Sequence, residues 1–173
     1  PAGWTAGGQG NFMVNESDRG YGVDEWNLLC NISQNAMDGA LNTISFGKFF
    51  VNKRDAAFTF KYNMHIWQRF GGNQMYADWA EKDTLAVQVR REGGQFENKV
   101  VILATNNVKP EVVTDFIPVE LDLTEYVNET IEIRIYWNCF ASQGVRGRFQ
   151  ELKADGRPIP VIPDVKVSEI TWN

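Results

Sequence analysis

The sequence predicts an all-β chain folded as a sandwich of antiparallel sheets, and three observations carry that expectation. Apolar and polar residues alternate over strand-length runs. In the clearest, Phe58, Phe60, Tyr62, Met64 and Ile66 interleave with Ala57, Thr59, Lys61, Asn63 and His65. A period of two sends the sets to opposite faces, one buried and one wet. The same rhythm returns in Leu85, Val87, Val89, in Ile117, Val119, Leu121, Leu123, and in Ile131, Ile133, Ile135, Trp137. Turn-rich segments separate these runs, and no stretch carries a convincing helical period.

Taken in order, residues 1–25 are Gly-rich and polar around Trp4, Phe12 and Tyr21, and read as short strands among irregular loops. Trp26 to Ile32 is apolar and reads as a strand. Leu41 to Val51 reads as another, bent at Gly47. The strong strand at 57–66 follows. Gln68 to Asp83 reads as a long loop rich in aromatic and polar residues. Strand 84–91 ends at Glu92-Gly93-Gly94-Gln95, a hairpin turn signal, so Phe96 to Ala104 returns antiparallel. Asn106 to Asp115 leads to strand 116–123, and Thr124 to Asn128 turns into strand 130–138. Ala141 to Pro163 reads as a second long loop, stiffened at its end by Pro160 and Pro163, before a closing strand from Asp164 to Trp172. No internal repeat or linker interrupts the chain. Residues 1–173 therefore read as a single domain, expected to be excised or processed from a larger protein.

Size and charge narrow the function classes. A chain of 173 residues suffices to remove roughly 70 % of its unfolded surface from water. The formal net charge is −5, and Lys and Arg are scattered, which speaks against nucleic acid as a partner. No apolar run approaches the ~20 residues of a membrane-spanning helix, so membrane insertion is not expected. Cys30 and Cys139 fall in different predicted elements. They could form one disulfide in an oxidising compartment or stay as two small buried hydrophobes. A metal site built on them lacks the Cys/His spacing such sites need.

Several short motifs occur in a fixed order. Pro1-Ala2-Gly3-Trp4-Thr5 opens the chain, and Phe58-Thr59-Phe60-Lys61-Tyr62 and Asp83-Thr84-Leu85-Ala86-Val87-Gln88-Val89 follow. Val119-Glu120-Leu121-Asp122-Leu123-Thr124-Glu125-Tyr126, Ile131-Glu132-Ile133-Arg134-Ile135 and Asp164-Val165-Lys166-Val167 complete the series. The series resembles the MAM-like and cleaved-adhesin-like domains of bacterial surface and secreted proteins, over nearly the whole chain. The resemblance implies a galactose-binding-like jelly roll at the cell surface or in secretion, acting in adhesion. It also implies a glycan or a host or partner protein as ligand, and a structural calcium ion. The chain departs from the family at Pro163, where the first Asp of the closing motif often stands, and before Phe58.

Candidate sites follow from the chemistry of each ligand. Calcium takes six to eight oxygen ligands. Asp164 matches the second acid of the family's closing motif, and Glu16, Asp18 and Asp24 lie in an N-terminal loop that could meet it. Sugars bind by stacking on aromatic rings and by hydrogen bonds to planar polar side chains. Trp67, Arg69, Tyr76 and Trp79 bring that mixture to the first long loop, although the same aromatics could instead plug one end of the sandwich. His65, Asn63 and Lys61 on one strand, with Asn138, Tyr136 and Arg134 on another, could line a concave groove. The expected function is a non-catalytic extracellular binding or adhesion module directed at carbohydrate. A protein-interaction or spacer domain is the alternative in binding mode. The alternative in class is a laminarinase-like glycoside hydrolase, because Glu120-Leu121-Asp122-Leu123-Thr124-Glu125 satisfies its E-x-D-x-x-E pattern. There Glu120 would be nucleophile and Glu125 acid/base, with the carboxyls roughly 5.5 Å apart.

Overall fold

The computed structural model describes residues 4–8, 12–15, 27–32, 40–54, 56–70, 73–76, 84–102, 116–139, 145–154 and 157–158. The described strands are β1 (Thr5–Gly8), β2 (Phe12–Asn15), β3 (Asn27–Ile32), β4 (Ala40–Phe50), β5 (Ala57–Phe70) and β6 (Asn73–Tyr76). They continue with β7 (Thr84–Arg91), β8 (Glu97–Val101), β9 (Ile117–Asp122), β10 (Thr130–Cys139), β11 (Val145–Ala154) and β12 (Arg157–Pro158). A 3-10 turn, Thr124–Tyr126, lies between β9 and β10.

Two antiparallel sheets face each other as a jelly-roll sandwich. One has five strands in the order β1-β4-β10-β7-β8. The other has seven and runs β2-β3-β11-β5-β6, with β9 paired to β5 and β12 to β11. Between them lies the core. Ile44, Phe46, Leu85, Val87, Val89, Ile131, Ile133, Ile135 and Trp137 come from the first sheet. Phe12, Leu28, Phe58, Phe60, Tyr62, Leu121, Phe149 and Leu152 come from the second. The Phe46 and Phe58 rings meet across the sheets at 5.6 Å, and Trp4 packs edge-on to Phe46 at 4.9 Å. The alternation read from 130–138 is therefore literal. The odd-numbered residues 131–137 are buried, and Glu132, Arg134, Tyr136 and Asn138 face outward.

Local sequence explains the joints. At Gly47, φ is +84°, and the β4–β10 register shifts between Glu132 and Arg134, so the expected bend is a bulge. Gly93, at φ +75°, turns β7 into β8, with the Gly94 amide donating to the Arg91 carbonyl at 2.9 Å. The turn after β9 links the sheets: the Leu123 amide donates to the Ala56 carbonyl (2.7 Å) and the Val51 amide to the Glu129 carbonyl (3.0 Å). Tyr126 is buried beneath it, with the Arg91 guanidinium 4.6 Å and the Lys99 ammonium 5.4 Å from its ring centre.

The structure corrects three expectations. The segment 68–83 is not a loop throughout, because β5 continues to Phe70 and folds back on β6. The order Trp67-Gln68-Arg69-Phe70 breaks the alternation that marked the strand's end. The segment 141–163 is likewise not a loop throughout, since it contains β11. Here a bulge between Gln150 and Lys153, with Glu151 at φ +52°, places the buried Phe149 and Leu152 three residues apart and conceals the period of two. Finally, β5 and β10 belong to different sheets, so their outward faces cannot line one groove. The expected strand at 164–172 lies outside the described residues.

A polar clamp spans the centre of the five-stranded sheet. Glu132 on β10 accepts hydrogen bonds from the Ser45 hydroxyl on β4 (2.5 Å) and from Arg90 Nε on β7 (2.7 Å). Burial opposes ionisation of Glu132, but these two donors outweigh it and hold the carboxyl below its ordinary range. Replacing Ile133 by Ala should destabilise the chain by about 2–5 kcal/mol in urea unfolding, because the site is fully buried. The exposed Glu92→Ala change should stay within about 0.5 kcal/mol. A lowered carboxyl pKa contributes stability that is complete above the unfolded value, about 4.3, and lost as pH falls through the folded one. Unfolding measured across the acid range should therefore show a shallower loss of stability in Glu132→Gln than in the unsubstituted chain.

Candidate functional site

The outward face of the five-stranded sheet is organised in rows running across the strands, because cross-strand partners point to the same side. One row is Gly7, Thr43, Tyr136, Ala86 and Val101. The next is Thr5, Ser45, Arg134, Gln88 and Asn98. Beyond it lie Lys48, Glu132 and Arg90, and on the other side of Tyr136 lie Leu41, Asn138 and Thr84. Tyr136 is half-buried, and its neighbours on both adjacent strands are short. At Gly7 a Cβ would fall 2.5 Å from the Thr43 hydroxyl, so glycine is what lets β1 close on this row.

The second row is a chain of planar polar groups. Arg134 Nε donates to Gln88 Oε1 at 2.6 Å, and Gln88 Nε2 donates to Asn98 Oδ1 at 2.7 Å. The Arg134 guanidinium lies 3.8 Å from the Phe96 ring centre and 5.9 Å from that of Tyr136. Arg90 reaches the same Phe96 ring at 4.5 Å. Burial, then repulsion from Arg90, lowers the pKa of Arg134. The arrangement offers an aromatic ring beside a row of hydrogen-bonding side chains fixed in their rotamers by one another. Such a surface can stack a flat apolar ring face and bond its equatorial polar groups.

Of the residues singled out in the sequence, Tyr136 sits at the centre of this face. His65 lies on β5 in the opposite sheet, so it does not join Tyr136. The β5–β6 pairing sets Trp67 opposite Tyr76 and Arg69 opposite Gln74 in backbone register. Trp79 lies outside the described residues, as do Glu16, Asp18, Asp24 and Asp164. Among the described residues no group of three or more His, Cys, Asp or Glu could hold a metal ion. Sequence reasoning missed Gln88, Phe96 and Asn98. Gln88 was legible as the polar interruption of the apolar run 85–89, whereas Phe96 and Asn98 acquire their place only through the β7–β8 pairing.

The carboxylates of the hydrolase pattern are differently employed. Glu120 and Asp122 are exposed on the outward side of β9, and Asp122 accepts from the Thr124 amide (2.8 Å) and hydroxyl (2.5 Å). Those two bonds hold the Asp122 carboxyl below its usual range. Glu125 stands beyond the strand on the 3-10 turn, where Lys99 of the other sheet reaches it at 3.0 Å. That hydrogen bond from Lys99 lowers its pKa, the opposite of what a general acid requires. Glu120 instead borders an open groove of about 360 Å³ with Thr59, Lys61, Glu151 and Lys153. There Lys61 is already paired to Glu151 at 3.2 Å.

No family model matches the chain and no curated protein matches it, so the finer resemblance to MAM-like and cleaved-adhesin-like domains has no matching family model behind it. Solved structures do match. The carbohydrate-binding module TmCBM61, in complex with β-1,4-galactotriose, superposes with a TM-score of 0.54 at 10 % identity, covering 88 % of this chain and 89 % of that one. A non-crystalline cellulose specific module, CBM28, gives 0.49 at 10 % identity over 89 % and 88 %. A CBM4 module gives 0.42 at 10 % identity over 88 % and 94 %. At such identity, the likeness to TmCBM61 establishes the fold: the chain is a jelly-roll β-sandwich.

Proposed function

We propose that this chain is a non-catalytic, extracellular carbohydrate-binding module whose glycan lies across the outward face of the five-stranded sheet. A sugar ring rests on Tyr136, and its hydroxyls meet Arg134 and Asn98 at the ends of the row, with the buried Gln88 holding the two in place. The observation that carries this reading is the pairing of those two rows: a half-buried phenol flanked by short side chains, beside three planar polar groups bonded end to end. Rigid aromatic and amide groups lose little freedom on binding, which favours recognition of a weakly hydrophobic, hydroxyl-rich ligand. The jelly roll shared with TmCBM61, a module solved with a galactotriose, agrees with that role. A catalytic role is disfavoured by the commitment of Asp122 to Thr124 and of Glu125 to Lys99.

The test is affinity electrophoresis through gels containing soluble polysaccharides, neutral and acidic, followed by titration calorimetry on those that retard the protein. The chain should bind at least one, and Tyr136→Ala should weaken binding about tenfold or more, a loss of ~1.4 kcal/mol. Binding unaffected by Tyr136→Ala would move the site to another surface. Retardation by no polysaccharide would leave the spacer or protein-interaction reading in its place.

A further inference from the structure

On this reading of the sheet face, a further feature identifies the class of sugar. The cations around it are not equivalent. Arg90 is matched by Glu132 at 2.5 Å, and Lys48 by Glu92 at 3.2 Å. Arg134, half-buried between Phe96 and Tyr136, has as its described side-chain partner an amide, Gln88. The groups that position it carry no negative charge, and the nearby Glu132 carboxylate, itself bonded to Ser45 and Arg90, attracts it less than Arg90 repels it. The direction of the hydrogen bonds adds to this. Arg134 donates to Gln88, and Gln88 donates to Asn98, which accepts through Oδ1. Among the described hydrogen bonds, the terminal nitrogens of Arg134 and the amide nitrogen of Asn98 remain as donors at the two ends of the row, beside the second lone pair of Asn98 Oδ1. A neutral sugar hydroxyl both donates and accepts, whereas a carboxylate or sulfate only accepts and presents two or more oxygens to a guanidinium fork.

We propose that Arg134 is an anion subsite on the sugar-binding face, and that the preferred ligand is an acidic polysaccharide. It would bear a carboxylate or sulfate on the sugar that stacks on, or adjoins the one stacked on, Tyr136. Nε is occupied by Gln88, so the acid meets the terminal nitrogens from the outward side. An anion there also offsets the burial and the Arg90 repulsion that disfavour the charged form of Arg134.

The experiment compares calorimetric affinities for polygalacturonate, its fully methyl-esterified form, a sulfated galactan and a neutral β-1,4-galactan. Esterification removes the charge while leaving the protein untouched, so that arm does not depend on any variant folding. At least one acidic polymer should bind about tenfold or more tightly than the neutral polymers, and polygalacturonate and sulfated galactan distinguish carboxylate from sulfate. The preference should shrink as salt is raised. It should disappear in Arg134→Gln and fall in Arg134→Lys, each verified as folded by its melting transition. Neutral polymers bound as tightly as the acidic ones, with loss in Tyr136→Ala, would overturn the acidic ligand and keep the carbohydrate-binding role. A preference that persists in Arg134→Gln would overturn the subsite. Binding of none of the four would count against both proposals.

Discussion

The central strand β10 is the constraint on which the structure depends. It pairs with β4 on one side and β7 on the other, and its alternation assigns every second residue to a different task. Ile131, Ile133, Ile135 and Trp137 form the middle of the core and fasten the five-stranded sheet to the seven-stranded one. Glu132, Arg134, Tyr136 and Asn138 are thereby forced outward in a fixed register. Slipping that strand by one residue would exchange the sets, burying charges and exposing the isoleucines. Core and outward polar face are two consequences of one pairing.

The outward face is ordered by charge as well as by register. Glu132 draws in Ser45 and Arg90, and this clamp closes one side of the face. Phe96, delivered by the hairpin at Gly93, provides a surface for both Arg90 and Arg134. The result separates a guanidinium paired to a carboxylate from one whose described hydrogen bond goes to an amide, within a single stacked group. Arginine suits both positions, since its planar fork can stack, bond sideways and still present an edge.

Much of the sandwich was legible because its strands alternate strictly. The runs containing Phe58–Tyr62 and Ile131–Trp137 appear in the fold with the burial their pattern implies, whereas 85–89 is buried on both faces, Ala86 and Gln88 included. The hairpin at Glu92–Gln95 and the bend at Gly47 were marked by glycines that the backbone uses at positive φ. What escaped was irregular. The bulge at Glu151 shifted Leu152 out of phase with Phe149, so β11 passed for a loop. The β5–β6 hairpin carries no period at all. The face itself was half visible: Tyr136 and Arg134 were evident as wet positions of a strand, but their partners depend on which strands become neighbours. Nothing local in the sequence says that β10 adjoins β7 rather than β5, and that single fact takes His65 away from Tyr136 and sets Gln88 opposite Arg134.

The most direct measurement is a crystal structure of the chain with a bound oligosaccharide drawn from whichever polysaccharide it retains. The sugar should lie on the five-stranded sheet, one ring stacked on Tyr136 and an oxygen within hydrogen-bond distance of the Arg134 terminal nitrogens. A sugar seated instead along the β5–β6 hairpin, or in the groove beside Glu120 and Lys153, would contradict the account.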